Sequence, residues 1–66
     1  MQVGDLIQFC STGVLGLIVD VRPEGSTEFV YVLCGADIDG ICPAGETTAF
    51  PRLHIEMVAE VINASR

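Results

Sequence analysis

The residues of this 66-residue chain that could do chemistry are few, and they begin with Cys10, Cys34, Cys42 and the single histidine, His54. Thiolate and imidazole are the ligands of tetrahedral zinc. A structural zinc site, however, takes cysteines two to four residues apart and then a second pair. Here the successive spacings are 24, 8 and 12 residues, so no zinc site is expected. An odd cysteine count with no secretory leader at Met1-Gln2-Val3-Gly4-Asp5 gives no disulfide framework either. The expectation is a chain made in a reducing cytoplasm, with Cys10 and Cys34 serving as small buried apolar residues in strands.

Asp37-Ile38-Asp39-Gly40 has the opening of a calcium loop. Such a loop needs an oxygen ligand two positions after the second aspartate and a glutamate at its twelfth position. Ile41 and Thr48 stand there, so the segment reads as a turn. Nucleophilic catalysis requires a nucleophile, a base and an orienting group, and nothing local pairs His54 with a cysteine. Glu56 and Glu60 share a side of either a strand or a helix and read as a wetted face. A chain this short also lacks the concavity of an active site. No catalytic residue, cofactor or metal is expected, and the protein is read as a non-enzyme.

The elements that must position these residues are strands. Leu6 to Cys10 and Val14 to Val21 flank the turn Ser11-Thr12-Gly13 and form a first hairpin. Gly16 within the second run marks a bulge, a bend or a close backbone approach. Arg22 to Thr27 reads as a turn and Glu28 to Cys34 as a third strand. Tight turns at 36–40 and 43–45 enclose a strand fragment at Ile41-Cys42. Glu46 to Phe50 is a fourth strand stopped by Pro51, and Pro51 to His54 fits one turn of 3₁₀ helix. Ile55 to Ile62 is ambiguous. As a helix it puts Ile55, Val58, Ala59 and Ile62 on one stripe, whereas its β-branched content favours a fifth strand. The sum is one all-β domain over residues 1–66, a small five-stranded SH3-like barrel with a polar tail at 63–66.

Composition limits the partners. Nine acids face three arginines with no lysine, for a net charge of −6, which argues against nucleic acid and anionic membrane. No apolar run approaches the roughly 20 residues that span a bilayer. Half the residues are hydrophobic, although a domain this small buries only about 60% of its unfolded surface. Part of the apolar excess is therefore expected under a partner. Ile38, Ile41 and Phe50 are the candidate interface residues, because they lie in turn or polar segments with little core to reach.

Four segments carry a family resemblance. Met1-Gln2-Val3-Gly4-Asp5-Leu6-Ile7, Gly13 to Val21 (GVLGLIVDV), Val30-Tyr31-Val32-Leu33 and Glu60 to Arg66 (EVINASR) resemble small SH3-like barrel proteins of tailed bacteriophages infecting aquatic bacteria. The likeness covers both ends and the first half. Residues 35–54 depart from it, and Cys34 stands near where members usually carry a tryptophan. The first hairpin also resembles, more weakly, the KOW element of ribosomal and transcription proteins, without the basic residues that bind RNA. The first resemblance implies a virion accessory, a capsid decoration or tail-associated protein assembled in the host cytoplasm, whose partners are capsid or tail proteins and copies of itself. The second implies a regulator of a host transcription or translation factor, or of RNA.

Overall fold

Alternating burial along the strands generates the architecture. In the computed structural model, which describes residues 1–64, the strands are β1 (Leu6–Phe9), β2 (Leu15–Glu24), β3 (Thr27–Cys34), β4 (Thr47–Pro51) and β5 (Ala59–Asn63). One helix, α1 (Arg52–Val58), joins β4 to β5. All five strands lie in one antiparallel sheet of order β4-β3-β2-β1-β5. The chain meanders from β1 to β4, and α1 then carries it back to set β5 on the far side of β1. The fold is all-β and barrel-like. The sheet curls without closing, leaving β4 and β5 as its edges.

Every second residue points into a common core: Ile7 and Phe9 of β1, Ile18 of β2, Val30, Val32 and Cys34 of β3, and Phe50 of β4. Ile55 of α1 and Ala59 of β5 complete it. Gly16 makes the curl possible. A Cβ built there would lie 2.7 Å from Val32 Cγ1 and 3.5 Å from Phe9 Cε1, so these two neighbours close over bare backbone. The register of β2 on β3 then slips between Ile18 and Asp20, a bulge that re-aims the strand. Of the bulge, bend or close approach expected at Gly16, the close approach is what stands there, and the bulge lies farther along the strand, between Ile18 and Asp20.

Three local expectations need correction. The stretch Arg22 to Thr27 is not all turn: β2 and β3 pair out to Glu24 opposite Thr27. Only Gly25 and Ser26 turn the chain, with Gly25 at φ 62°, the left-handed conformation that a two-residue hairpin demands. Pro23 sits in this ribbon beyond the reach of β1 and β4, where a lost ladder bond costs little. Secondly, the 3₁₀ turn expected at Pro51 to His54 is the start of an α-helix, Arg52–Val58, entered from Pro51 at φ −57°. Thirdly, Ile55 to Ile62 is helix to Val58 and strand from Ala59, so each reading described half of it. Ile55 has no exposed surface and fastens the helix to the core. The change at Ala59 (φ −145°, ψ 161°) starts the ladder with β1, in which Ala59 faces Phe9.

Gly16→Ala should destabilise the fold by about 1–3 kcal/mol, the usual cost of overpacking a filled core. Urea denaturation followed by circular dichroism measures it. An unchanged midpoint would mean that Val32 and Phe9 yield without strain.

Candidate interaction surface

The same alternation that fills the core sends a second set of side chains outward, and on this chain they are largely apolar. Leu6 of β1 faces Leu17 of β2, and Leu17 faces Leu33 of β3, so three leucines stand in one row across the sheet. Leu15 and Val19 flank Leu17 along β2, and both are exposed. Leu17 itself keeps 40% of its surface in water. Leu6, Leu15, Leu17 and Leu33, with the bare backbone of Gly16, Gly35 and Gly45, line a shallow groove of about 390 Å³ on this outer face. An outer sheet face ordinarily carries polar residues.

Farther along the same face the charges are satisfied internally. Asp20 stands opposite Tyr31, and its carboxylate accepts a 2.6 Å bond from Arg22 Nε. The Arg22 guanidinium lies 5.1 Å from the Tyr31 ring centre, a cation–π distance. The bond and the charge of Asp20 raise the Arg22 pKa further above its already high value, so Arg22 remains a cation. Arg52 is engaged as well, donating to Glu28 at 2.6 Å and to Glu56 at 3.4 Å. Exposed pairs such as Arg52–Glu28 contribute about 0–1 kcal/mol, whereas each CH₂ withdrawn from water contributes about 0.8 kcal/mol. Covering the leucine row is the larger available term.

The segment 35–46 borders the groove and differs most from the sequence reading. Cys34 and Cys42 form a disulfide with Cα atoms 6.3 Å apart, against the expectation of no disulfide. Their separation of only 8 residues allows it because Ile38 pairs back onto Cys42, with Ile38 N donating to Cys42 O at 2.8 Å. Asp37 Oδ1 accepts from Ala44 N at 2.7 Å, and Gly45 N donates to Cys34 O at 3.0 Å. Cys34 is buried as expected. Cys10 is the exposed free thiol, contrary to the expectation, because it continues the outward side of the alternation after Leu6 and Gln8, while its backbone N still donates to Val58 O at 2.8 Å.

The interface candidates divide. Ile38 and Phe50 are each only 6% exposed and belong to the core, so neither side chain is available to a partner. Ile38 is drawn inward by the disulfide-closed loop. Phe50 reaches across to Phe9, ring centres 5.9 Å apart, and His54 stacks on it at 6.3 Å. Ile41 is exposed at the loop tip. The sequence reading missed the leucine row, whose signal was present in Leu6, Leu15, Leu17 and Leu33 falling on one side of alternating strands. It also missed Leu53 and Met57, one turn apart on α1 and 76% and 81% exposed.

Among the described residues, no three of histidine, cysteine, aspartate or glutamate converge as metal ligands, and no helix is long and apolar enough to cross a membrane. Compared with protein-family models, curated proteins and solved structures, the chain matches none.

Two measurements check this loop. Replacing Cys34 and Cys42 by alanine should lower the unfolding free energy by about 2–3 kcal/mol, the loop-closure value for so short a ring, as read by chemical denaturation. Without reductant, maleimide should label one thiol per native chain, at Cys10, and mass spectrometry should find three after reduction in denaturant.

Proposed function

We propose that this protein is a non-enzymatic docking module that attaches to a larger protein assembly through the outer face of β1–β3. The observation that carries the reading is the row Leu6–Leu17–Leu33, flanked by Leu15 and Val19, on a face that a free-standing sheet would keep polar. The resemblance to small phage barrel proteins supplies the setting: a capsid decoration or tail-associated protein, added to the particle in the host cytoplasm and oxidised at Cys34–Cys42 after release from that reducing compartment. Docking of this kind works by burying apolar surface and uses no chemistry. Repetition of the site on a symmetric particle would let individually weak contacts hold together by avidity.

The alternative, a KOW-like regulator that grips RNA, has less support. Arg22 and Arg52 are both committed to carboxylates, leaving no unpaired guanidinium among the described residues to neutralise a phosphate.

Mass spectrometry of purified particles should find this chain at a fixed copy number. Leu17→Glu, which leaves the core untouched, should cut its incorporation at least about tenfold. Absence of the chain from particles would sink the virion setting. Normal incorporation of the Leu17→Glu variant would sink the docking face.

A further inference from the structure

The groove has a second property that says what kind of surface covers it. It ends against the 35–46 loop, whose Gly35 and Gly45 form part of its wall. That loop and its exit carry three exposed carboxylates, Asp37, Asp39 and Glu46. Asp37 takes a backbone hydrogen bond from Ala44, but no salt bridge reaches any of the three among the described residues. Asp20, Glu28 and Glu56 are the acids that found cations among the described residues. The loop that walls one end of the apolar row through Gly35 and Gly45 thus carries negative charge with no salt-bridge partner among the described residues, and the Cys34–Cys42 bond and the Ile38–Cys42 pairing hold that loop in place. The opposite end, at Asp20, Arg22 and Tyr31, is neutral within itself.

Building on the docking reading above, we propose that the groove receives an aliphatic ridge of a partner protein whose margin carries lysine or arginine against the 35–46 loop. The aliphatic centre supplies affinity by burial. The basic margin supplies orientation and approach rate, since complementary charge steers encounter and rejects wrong partners. A second copy of this chain is a poor occupant by the same criterion. It has no lysine and would bring a net charge of −6 toward −6, with its own two described arginines already paired. The groove is also shallow and floored by Gly16 backbone, so it suits a row of branched aliphatic side chains better than one deep aromatic anchor.

The probes are two synthetic strand peptides with identical leucine spacing, one with lysine and one with glutamate at the intervening positions. Each is titrated into the oxidised 66-residue chain and followed by amide chemical shifts. The lysine peptide should shift Leu17, Leu33, Gly35 and Gly45 together. The glutamate peptide should bind at least about tenfold more weakly. Leu17→Glu should weaken the lysine peptide about tenfold or more. Asp37→Asn with Asp39→Asn and Glu46→Gln should weaken it several-fold and steepen nothing in urea unfolding. Raising salt from about 50 to about 500 mM should weaken it several-fold as well. Equal binding of the two peptides, or shifts that follow the carboxylates while Leu17 and Leu33 stay still, would overturn the basic-margin proposal. A dimer seen by sedimentation without peptide, and abolished by Leu17→Glu, would make a second copy the occupant. That result overturns the partner chemistry while keeping the docking face. Failure of both peptides, with no self-association and normal particle incorporation of Leu17→Glu, would remove the docking face itself.

Discussion

The tight contact over Gly16 is the constraint on which the rest of the structure depends. A flat five-stranded sheet of this size could not enclose a core, because each face would remain half in water. With no side chain at Gly16, Phe9 and Val32 approach across β2, and the slip after Ile18 adds twist. The sheet then bends around Ile7, Ile18, Val30 and Val32, all of which lose contact with water. Once the sheet is bent, α1 has an open flank to cover, and Ile55 fills it. The fold is thus a response to one position where a side chain is missing.

Bending has a cost on the convex side. Inward residues crowd together while outward residues splay apart, leaving room between Leu6, Leu17 and Leu33 that neighbouring side chains do not fill. The disulfide-closed loop rises beside this opening and gives it an end wall. A protein that needed only to fold would be better served by threonine, lysine or glutamate at Leu15, Leu17 and Leu33, where nothing internal asks for leucine. Core and surface therefore obey different demands within the same alternating strands. Under the docking reading proposed above, the surface demand comes from outside the chain.

Much of the fold was legible in the sequence, for reasons tied to particular residues. Strand periodicity placed β1, β3 and β4 within a residue or two, because a period of two with β-branched residues has few competing interpretations. Gly13 and Gly16 announced a turn and a close approach. The failures occurred where tertiary context overrode local signals. Pro23 reads as part of a turn from Arg22 to Thr27 but sits in a protruding ribbon with few ladder bonds to lose. Ile55 to Ile62 carries both periods because it serves as both helix and strand. Ile38 and Phe50 looked stranded in polar segments, yet the loop folds Ile38 inward and Phe50 meets Phe9 across the core. The Cys34–Cys42 bond was hidden because its geometry depends on Ile38 pairing with Cys42, a reversal that spacing alone does not encode. The leucine row was only half legible: alternation puts the leucines of each strand on one side, but they form a row only once three strands are set in register.

The pairing of β1 with β5 joins Leu6 to Asn63, nearly opposite ends of the described chain. During synthesis β2 can zip to β1 and β3 to β2 as soon as each emerges, since those partners are close in sequence. One edge of β1, by contrast, stays bare until β5 has left the ribosome. Closing so long a loop is slow compared with forming a hairpin, and an unfilled edge is a template for the wrong strand. A nascent chain of this protein therefore passes through a stage in which β1 to β4 are made and the outer edge of β1 is still open to mispairing. The emergence of β5 decides whether that edge closes within the chain or on a neighbour.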